Sequence, residues 1–143
     1  NRNWETQKHL EKDRDSRLDG VPNILPSIIF SQRIQEKASH AGFDWEGIDE
    51  VWEKLDEEIN ELRFAQKEND INKIREEIGD LLFTVINLSR FFGISAENAL
   101  RGSNNKFIKR FQLLEKIIFD MNKNINDFPP NELDEIWKEA KKY

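Results

Sequence analysis

The chain contains no cysteine, which removes disulfides, thiol nucleophiles and Cys-ligated zinc or iron–sulfur centres from consideration. Histidine is almost as scarce. His9 and His40 stand apart, neither lies in a His-Glu-x-x-His zinc pattern, and neither closes the Glu-x-x-His pair of a di-iron bundle. With no Ser or Cys beside a histidine base, triad catalysis has no candidate residues. A Gly-x-x-x-x-Gly-Lys phosphate loop, a Rossmann glycine pattern and an EF-hand loop are also absent. No apolar run approaches the ~18–20 residues that span a bilayer, and no signal peptide is visible. The chain opens on Asn1 without an initiator Met, as a piece cut from a longer protein would. No stretch alternates in the β-branched manner of strands, so an all-α fold is expected.

What is present is charge and aromatic bulk. The 143 residues include 35% charged and 37% hydrophobic residues, polar for a packed domain, yet ten Phe and four Trp supply a core. The net charge is -6, so the expectation is one soluble, acidic, cytoplasmic helical domain with no membrane contact. The charge is unevenly spread: from Asp44 to Asp80, 14 acidic residues meet five basic ones, whereas from Arg101 onward nine basic residues meet seven acidic ones. That pattern does not suit general nucleic-acid binding, which wants a positive stripe. It suits a site that gathers cations and then an anionic ligand, although charged helices also simply keep small proteins dissolved.

Residues 1–22 read as a linker or N-terminal arm, with a short helix through Lys8–Arg17, and residues 23–143 as the folded domain. Pro26-Ser27 opens a first helix to about Ala41, with Ile28, Ile34, Ala38 and Ala41 on its apolar side. Asp49 is the expected cap of a second helix over about 50–67, striped by Val51, Leu55, Ile59 and Leu62. After the Asn69-Asp70 turn, a third helix over about 72–92 carries Ile74, Ile78, Leu81, Leu82, Val85 and Leu88, and is expected to be the most buried. Gly93 ends it. Ser95 is the expected cap of a fourth helix to about Met121, with Leu100, Phe107, Phe111, Leu114 and Ile118 inward. Asn131 is the expected cap of a last short helix after a polar loop.

Two carboxylate motifs stand out. Glu58 and Glu61 are three apart on the second helix, and Glu77 and Asp80 are three apart on the third. At ~100° per residue each pair projects from one face and borders an apolar stripe. A short turn makes the helices antiparallel neighbours, so the pairs can converge. Four converging carboxylates need a counter-charge, and hard divalent cations such as Mg²⁺ take such oxygen ligands while keeping waters for phosphates to displace. Gly79, a helix-interior glycine costing about 1 kcal/mol against alanine, invites a tight contact or ligand beside it. Glu-x-x-Glu is also common on solvated helices. On the fourth helix, Lys106 and Arg110 flank the Phe107/Phe111 stripe and have the geometry to grip phosphates, although snorkelling surface cations read the same way. Trp137 and Lys141 repeat the spacing on the last helix, and a Trp on an apolar stripe is equally a core residue.

These residues resemble the MazG family of nucleoside triphosphate pyrophosphohydrolases, in particular the C-terminal of the two MazG-like domains of the bacterial proteins. The resemblance runs from Leu18-Asp19-Gly20-Val21-Pro22 through Gln35-Glu36-Lys37-Ala38-Ser39 and Gly42-Phe43-Asp44-Trp45 to both carboxylate motifs. It continues in Gly79-Asp80-Leu81-Leu82-Phe83, Asn87-Leu88, Ala99-Leu100-Arg101, Asn104-Asn105-Lys106-Phe107 and Trp137. It implies an all-α bundle whose four-helix core is completed by homodimerisation. It also implies hydrolysis of a (deoxy)nucleoside triphosphate to the monophosphate and pyrophosphate, dependent on Mg²⁺, with Mn²⁺ able to substitute. By position, Glu58, Glu61, Glu77 and Asp80 would be metal ligands. Lys106 and Arg110 would hold the triphosphate, Trp137 and Lys141 would close over the nucleotide, and Lys37 and Asn104 match further substrate-binding positions. Glu57 and Glu76 would orient water or metal from behind the ligands. A reading of another class, a non-catalytic nucleotide-binding or helical dimerisation module, predicts no turnover.

Overall fold

The computed structural model describes residues 15–143. The expected helix through Lys8–Arg17 lies mostly outside them; Asp15–Gly20 form bends and turns. Five α-helices follow: α1 (Ser27–His40), α2 (Ile48–Lys67), α3 (Ile71–Phe91), α4 (Ala96–Asp120) and α5 (Pro130–Ala140). No strand occurs among the described residues. The chain divides into two compact units, Asn1–Glu97 and Asn98–Tyr143.

In the first unit α2 packs along α3, and α1 packs on α3. The α2–α3 turn is specified locally. Asn69 takes a left-handed conformation (φ 55°), and the Asp70 side chain accepts hydrogen bonds from the Asn72 and Lys73 amides, capping α3. Gly93, also left-handed (φ 68°), closes α3: its N–H donates to Arg90 O and that of Ile94 to Ser89 O, a Schellman pair. The Gln32 side chain then pins the following link, donating to Ile94 O and accepting from the Ala96 N–H.

Two expected boundaries shift. α2 begins at Ile48, so Asp49 stands in the first turn, where an acid favours the helix dipole, instead of capping it. α5 begins with Pro130 at the first helical position, which its fixed φ and missing N–H suit, so Asn131 is inside the helix. The loop before it contains a 3₁₀ turn, Ile125–Asp127, closed by a reciprocal Asn124/Asp127 capping box.

The larger correction concerns α3. Its buried residues are Glu77, Thr84, Ile86 and Asn87, whereas Ile78, Leu82 and Val85 stay 42–59% exposed. The inward side of α3 thus mixes polar residues with the buried Ile86 and the half-buried Ile74, Leu81 and Leu88, whereas Ile78, Leu82 and Val85 find no cover within the first unit. In α1 the one buried residue is Gln35, while Ile28, Ile34 and Ala38 are half-buried. Gly79 is exposed, and a Cβ there would meet open space, so no contact among the described residues requires it. In the second unit Leu114 and Ile118 are buried as expected, Phe107 stacks on Phe111, and Leu100 and Phe107 remain exposed.

Candidate metal centre and cationic pocket

The α2–α3 pairing brings the two carboxylate motifs together. One carboxylate oxygen each from Glu58, Glu77 and Asp80 lie within 4.8 Å of one another, and the same holds for Glu57, Glu58 and Glu61. Glu58, common to both groups, is 2% exposed, and Glu77 is 6% exposed. Glu57, Glu61 and Asp80 are exposed. Glu76 belongs to neither group and is exposed. Beside the cluster lies a groove of about 570 Å³ lined by Glu57, Asn60, Glu61, Phe64, Lys73 and Glu77.

Charge in this cluster is only partly balanced. Lys54, one turn before Glu58, places Nζ 2.9 Å from Glu58 Oε1 and 3.6 Å from Glu57 Oε1. The hydrogen bond to Glu58 holds the Lys54 ammonium above its ordinary pKa despite partial burial. Among the described residues no cation does the same for Glu77. Burial first, then hydrogen bonding and repulsion from Glu61 and Glu58, pushes its carboxyl up to about 7. Glu58 Oε2 and Glu77 Oε2 are both buried and without a hydrogen-bond partner. Buried carboxylate oxygens normally have partners, and an all-oxygen donor set with two orphaned oxygens fits a hard divalent cation. Lys54 was readable as an i, i+4 partner of Glu58; Lys73 stands in the same relation to Glu77.

The second unit holds a separate feature. Lys106, Arg110 and Lys141 line a pocket of about 400 Å³ together with Lys109, Lys142 and Tyr143. The pocket has no acidic lining residue, although Lys142 also meets Glu139 at 3.1 Å. Such a concentration of cations favours a polyanion. Trp137 is half-buried, its ring 5.3 Å from that of Phe107. Asn104 is exposed on α4 and does not line this pocket; Lys37 is half-buried on α1.

Residues 46–113, which contain both carboxylate motifs, match the MazG nucleotide pyrophosphohydrolase domain. Over 140 residues the chain is 40% identical to the nucleoside triphosphate pyrophosphohydrolase/pyrophosphatase MazG of Thermotoga maritima, covering 96% of this chain and 54% of that protein. Over 144 residues it is 34% identical to the nucleoside triphosphate pyrophosphohydrolase of Escherichia coli K12, covering 97% and 55%. It is also 36% identical over 142 residues to the uncharacterized protein YabN of Bacillus subtilis, 29% of which it covers. The chain thus spans about half the length of the first two relatives.

Proposed function

We propose that this chain, whose residues 46–113 match the MazG nucleotide pyrophosphohydrolase domain, hydrolyses (deoxy)nucleoside triphosphates between the α- and β-phosphates. Water adds to the α-phosphorus, the bond to the bridging oxygen breaks, and the monophosphate and pyrophosphate leave. The observation that carries this reading is the pair of buried carboxylates, Glu58 and Glu77, that face each other from α2 and α3 with orphaned oxygens.

In this reading Glu58, Glu61, Glu77 and Asp80 hold Mg²⁺, with Mn²⁺ able to replace it. The bound cation supplies charge neutralisation at the phosphates and activation of a water. Glu57, at 4.8 Å or less from Glu58 and Glu61, orients that water or the ligands behind it, and Glu76 is assigned the same supporting role. Lys106, Arg110 and Lys141 bind the triphosphate, and Lys106 and Arg110 steady the departing pyrophosphate. Trp137 closes over the nucleotide, and Lys37 and Asn104 contribute polar contacts. No covalent intermediate is needed. Residues 23–143 form the catalytic domain behind an arm of residues 1–22, acting on the cytoplasmic nucleotide pool as a homodimer. The exposed apolar side of α3, Ile78, Leu82 and Val85, supports the dimer, because burying it removes apolar surface from water.

The test is a panel of NTPs and dNTPs with Mg²⁺ or with EDTA, products separated by chromatography. Monophosphate and pyrophosphate formed only with Mg²⁺ is the expected result. Diphosphate and phosphate would place the cut at the wrong bond, and no product would favour a non-catalytic module. Glu61→Gln should abolish turnover while the helical circular dichroism signal persists; its collapse would make Glu61 structural.

A further inference from the structure

Lys54 stands at the edge of the carboxylate cluster. On α2 it precedes Glu57, Glu58 and Glu61 by three, four and seven residues, so at ~100° per residue all four side chains share one face of the helix. Its Nζ lies 2.9 Å from Glu58 Oε1 and 3.6 Å from Glu57 Oε1. Among the described residues it is the one cation in an ion pair with a member of the cluster. The Asp44–Arg90 pair of the same unit is built differently. There the guanidinium reaches both carboxylate oxygens, at 3.0 and 2.7 Å, and ties the α1–α2 link to α3 as a fork. Lys54 engages only one oxygen of Glu58, and Glu58 Oε2 is left buried without a partner.

An ammonium and a divalent cation cannot both hold Glu58 at full strength. The Glu58 side chain is 3% exposed, so little water screens two positive charges brought to it. Without any cation, however, a buried carboxylate among other carboxylates is strongly destabilising. Lys54 relieves that repulsion in the metal-free protein and opposes the ion that would relieve it better. The lysine also has a place to go. A third of its side chain is exposed, and Glu57, the more exposed carboxylate, is already its second partner. Moving from Glu58 to Glu57 keeps the ammonium paired and in contact with water, whereas Glu58 stays buried beside Glu77.

We propose that Lys54 is a resident placeholder for the divalent cation. Its ammonium occupies Glu58 in the metal-free protein and yields that carboxylate when the ion arrives, retiring to Glu57. Lys54 is then a positioning residue that acts through Glu58 and sets how much Mg²⁺ the site requires. This inference rests on the metal centre of the proposed function, not on turnover. Removing the ammonium should weaken the metal-free protein and tighten metal binding, because both effects have one origin. An i, i+4 pair corresponds to a factor of about 2–5 in an equilibrium, and relief of repulsion on a bound dication adds to it.

The test is Mn²⁺ binding, read from the electron paramagnetic resonance signal of the free ion, in the wild type, Lys54→Met and Lys54→Arg at one pH and ionic strength. Lys54→Met keeps an unbranched stem without the charge. It should bind Mn²⁺ about 3–20-fold more tightly than the wild type and melt below it in EDTA. Lys54→Arg restores a cation and should return the affinity toward the wild-type value. A lysine that merely braces Glu58 predicts the opposite sign, since its loss would let the ligand drift. Unchanged or weaker Mn²⁺ binding in Lys54→Met would therefore overturn the proposal while leaving the hydrolase reading in place. Mn²⁺ bound by none of the three proteins would remove the metal centre and both readings with it. Tighter binding in Lys54→Met, in a chain that cleaves no nucleoside triphosphate, would uphold the placeholder and overturn the hydrolase reading alone.

Discussion

Neutralising one of the proposed metal ligands should make the metal-free protein more stable. Glu58→Gln is the sharpest case, because Glu58 lies in both carboxylate groups and is 2% exposed. Against Asp80, a separation of 4.8 Å at an effective dielectric constant near 20 gives a repulsion of about 3.5 kcal/mol, which the exposure of Asp80 to water reduces. The opposing loss is the Lys54–Glu58 pair, 2.9 Å apart on a helix with a third of the lysine side chain exposed. Such i, i+4 pairs contribute about 0.3–1 kcal/mol. Repulsion therefore wins by about 1–2 kcal/mol, and the Gln amide gains a hydrogen-bond acceptor in the orphaned Glu77 Oε2. In EDTA the variant should melt about 3–6 °C above the wild type. Mg²⁺ should reverse the order once it reaches about one hundred times its Kd, where it stabilises only the binding-competent protein, by about 2.7 kcal/mol. Differential scanning calorimetry of both proteins, each with EDTA and with Mg²⁺, gives all four values. A Glu58→Gln variant that melts below the wild type in EDTA would refute the reasoning: Glu58 would then be a structural partner of Lys54.

Because the Glu77 carboxyl is raised to about 7, the folded metal-free protein holds a proton that the unfolded chain releases near 4.5. Its stability should therefore fall as pH rises from about 4.5 through 7, while Mg²⁺-induced stabilisation grows over the same window as the ligand deprotonates; melting temperatures at several pH values, with and without Mg²⁺, check both slopes. The Arg90 fork holds Asp44 below the ordinary carboxylate range, so its contribution is complete above the unfolded pKa and lost as pH falls through the folded one. Asp44→Asn should cost about 1–3 kcal/mol in urea unfolding, since it leaves a partly buried guanidinium short of a partner. Leu82→Lys, at a position 59% exposed, should reduce self-association measured by light scattering with little change in helical signal; an unchanged mass would remove α3 from the interface. Leu114→Ala, 4% exposed in the second unit, should cost about 2–4 kcal/mol by leaving a cavity.

Local chemistry made much of this molecule legible. The left-handed Gly93, the Asp70 cap and the 3.6-residue stripes are written in short segments, and all five helices fall within about two residues of their expected bounds. The carboxylate pairs were legible for a related reason. A three-residue spacing fixes two side chains on one face, and a link of three residues forces the next helix alongside. The orientation of α3 was not legible. Periodicity reports which residues are apolar, and the usual inference is that they face inward. Here the apolar stripe of Ile78, Leu82 and Val85 is left exposed, and the face that packs inward carries Glu77, Thr84 and Asn87.

That inversion has a physical rationale that joins the fold to the chemistry. Burying Glu77, Gln35 and Asn87 costs desolvation that an apolar face would avoid, and the unpaired oxygens of Glu77 and Gln35, with the raised pKa of Glu77, mark a cost not fully offset among the described residues. A fold that keeps such groups inside is poised for ligands that complete them, a cation at the carboxylate end and hydrogen-bonding groups at the amide end. The apolar residues displaced to the outside of α3 then need cover of their own, and a second copy of the chain would provide it. On this view the polar interior and the apolar exterior are one arrangement, and the two are separable by experiment. Leu82→Lys disturbs the outer side and Glu58→Gln the inner side of the same helix pair. A loss of self-association in the first that leaves the metal-dependent stabilisation intact would show that the inner site forms within a single chain. Loss of both together would show that the carboxylates reach their working geometry only when the outer side is covered.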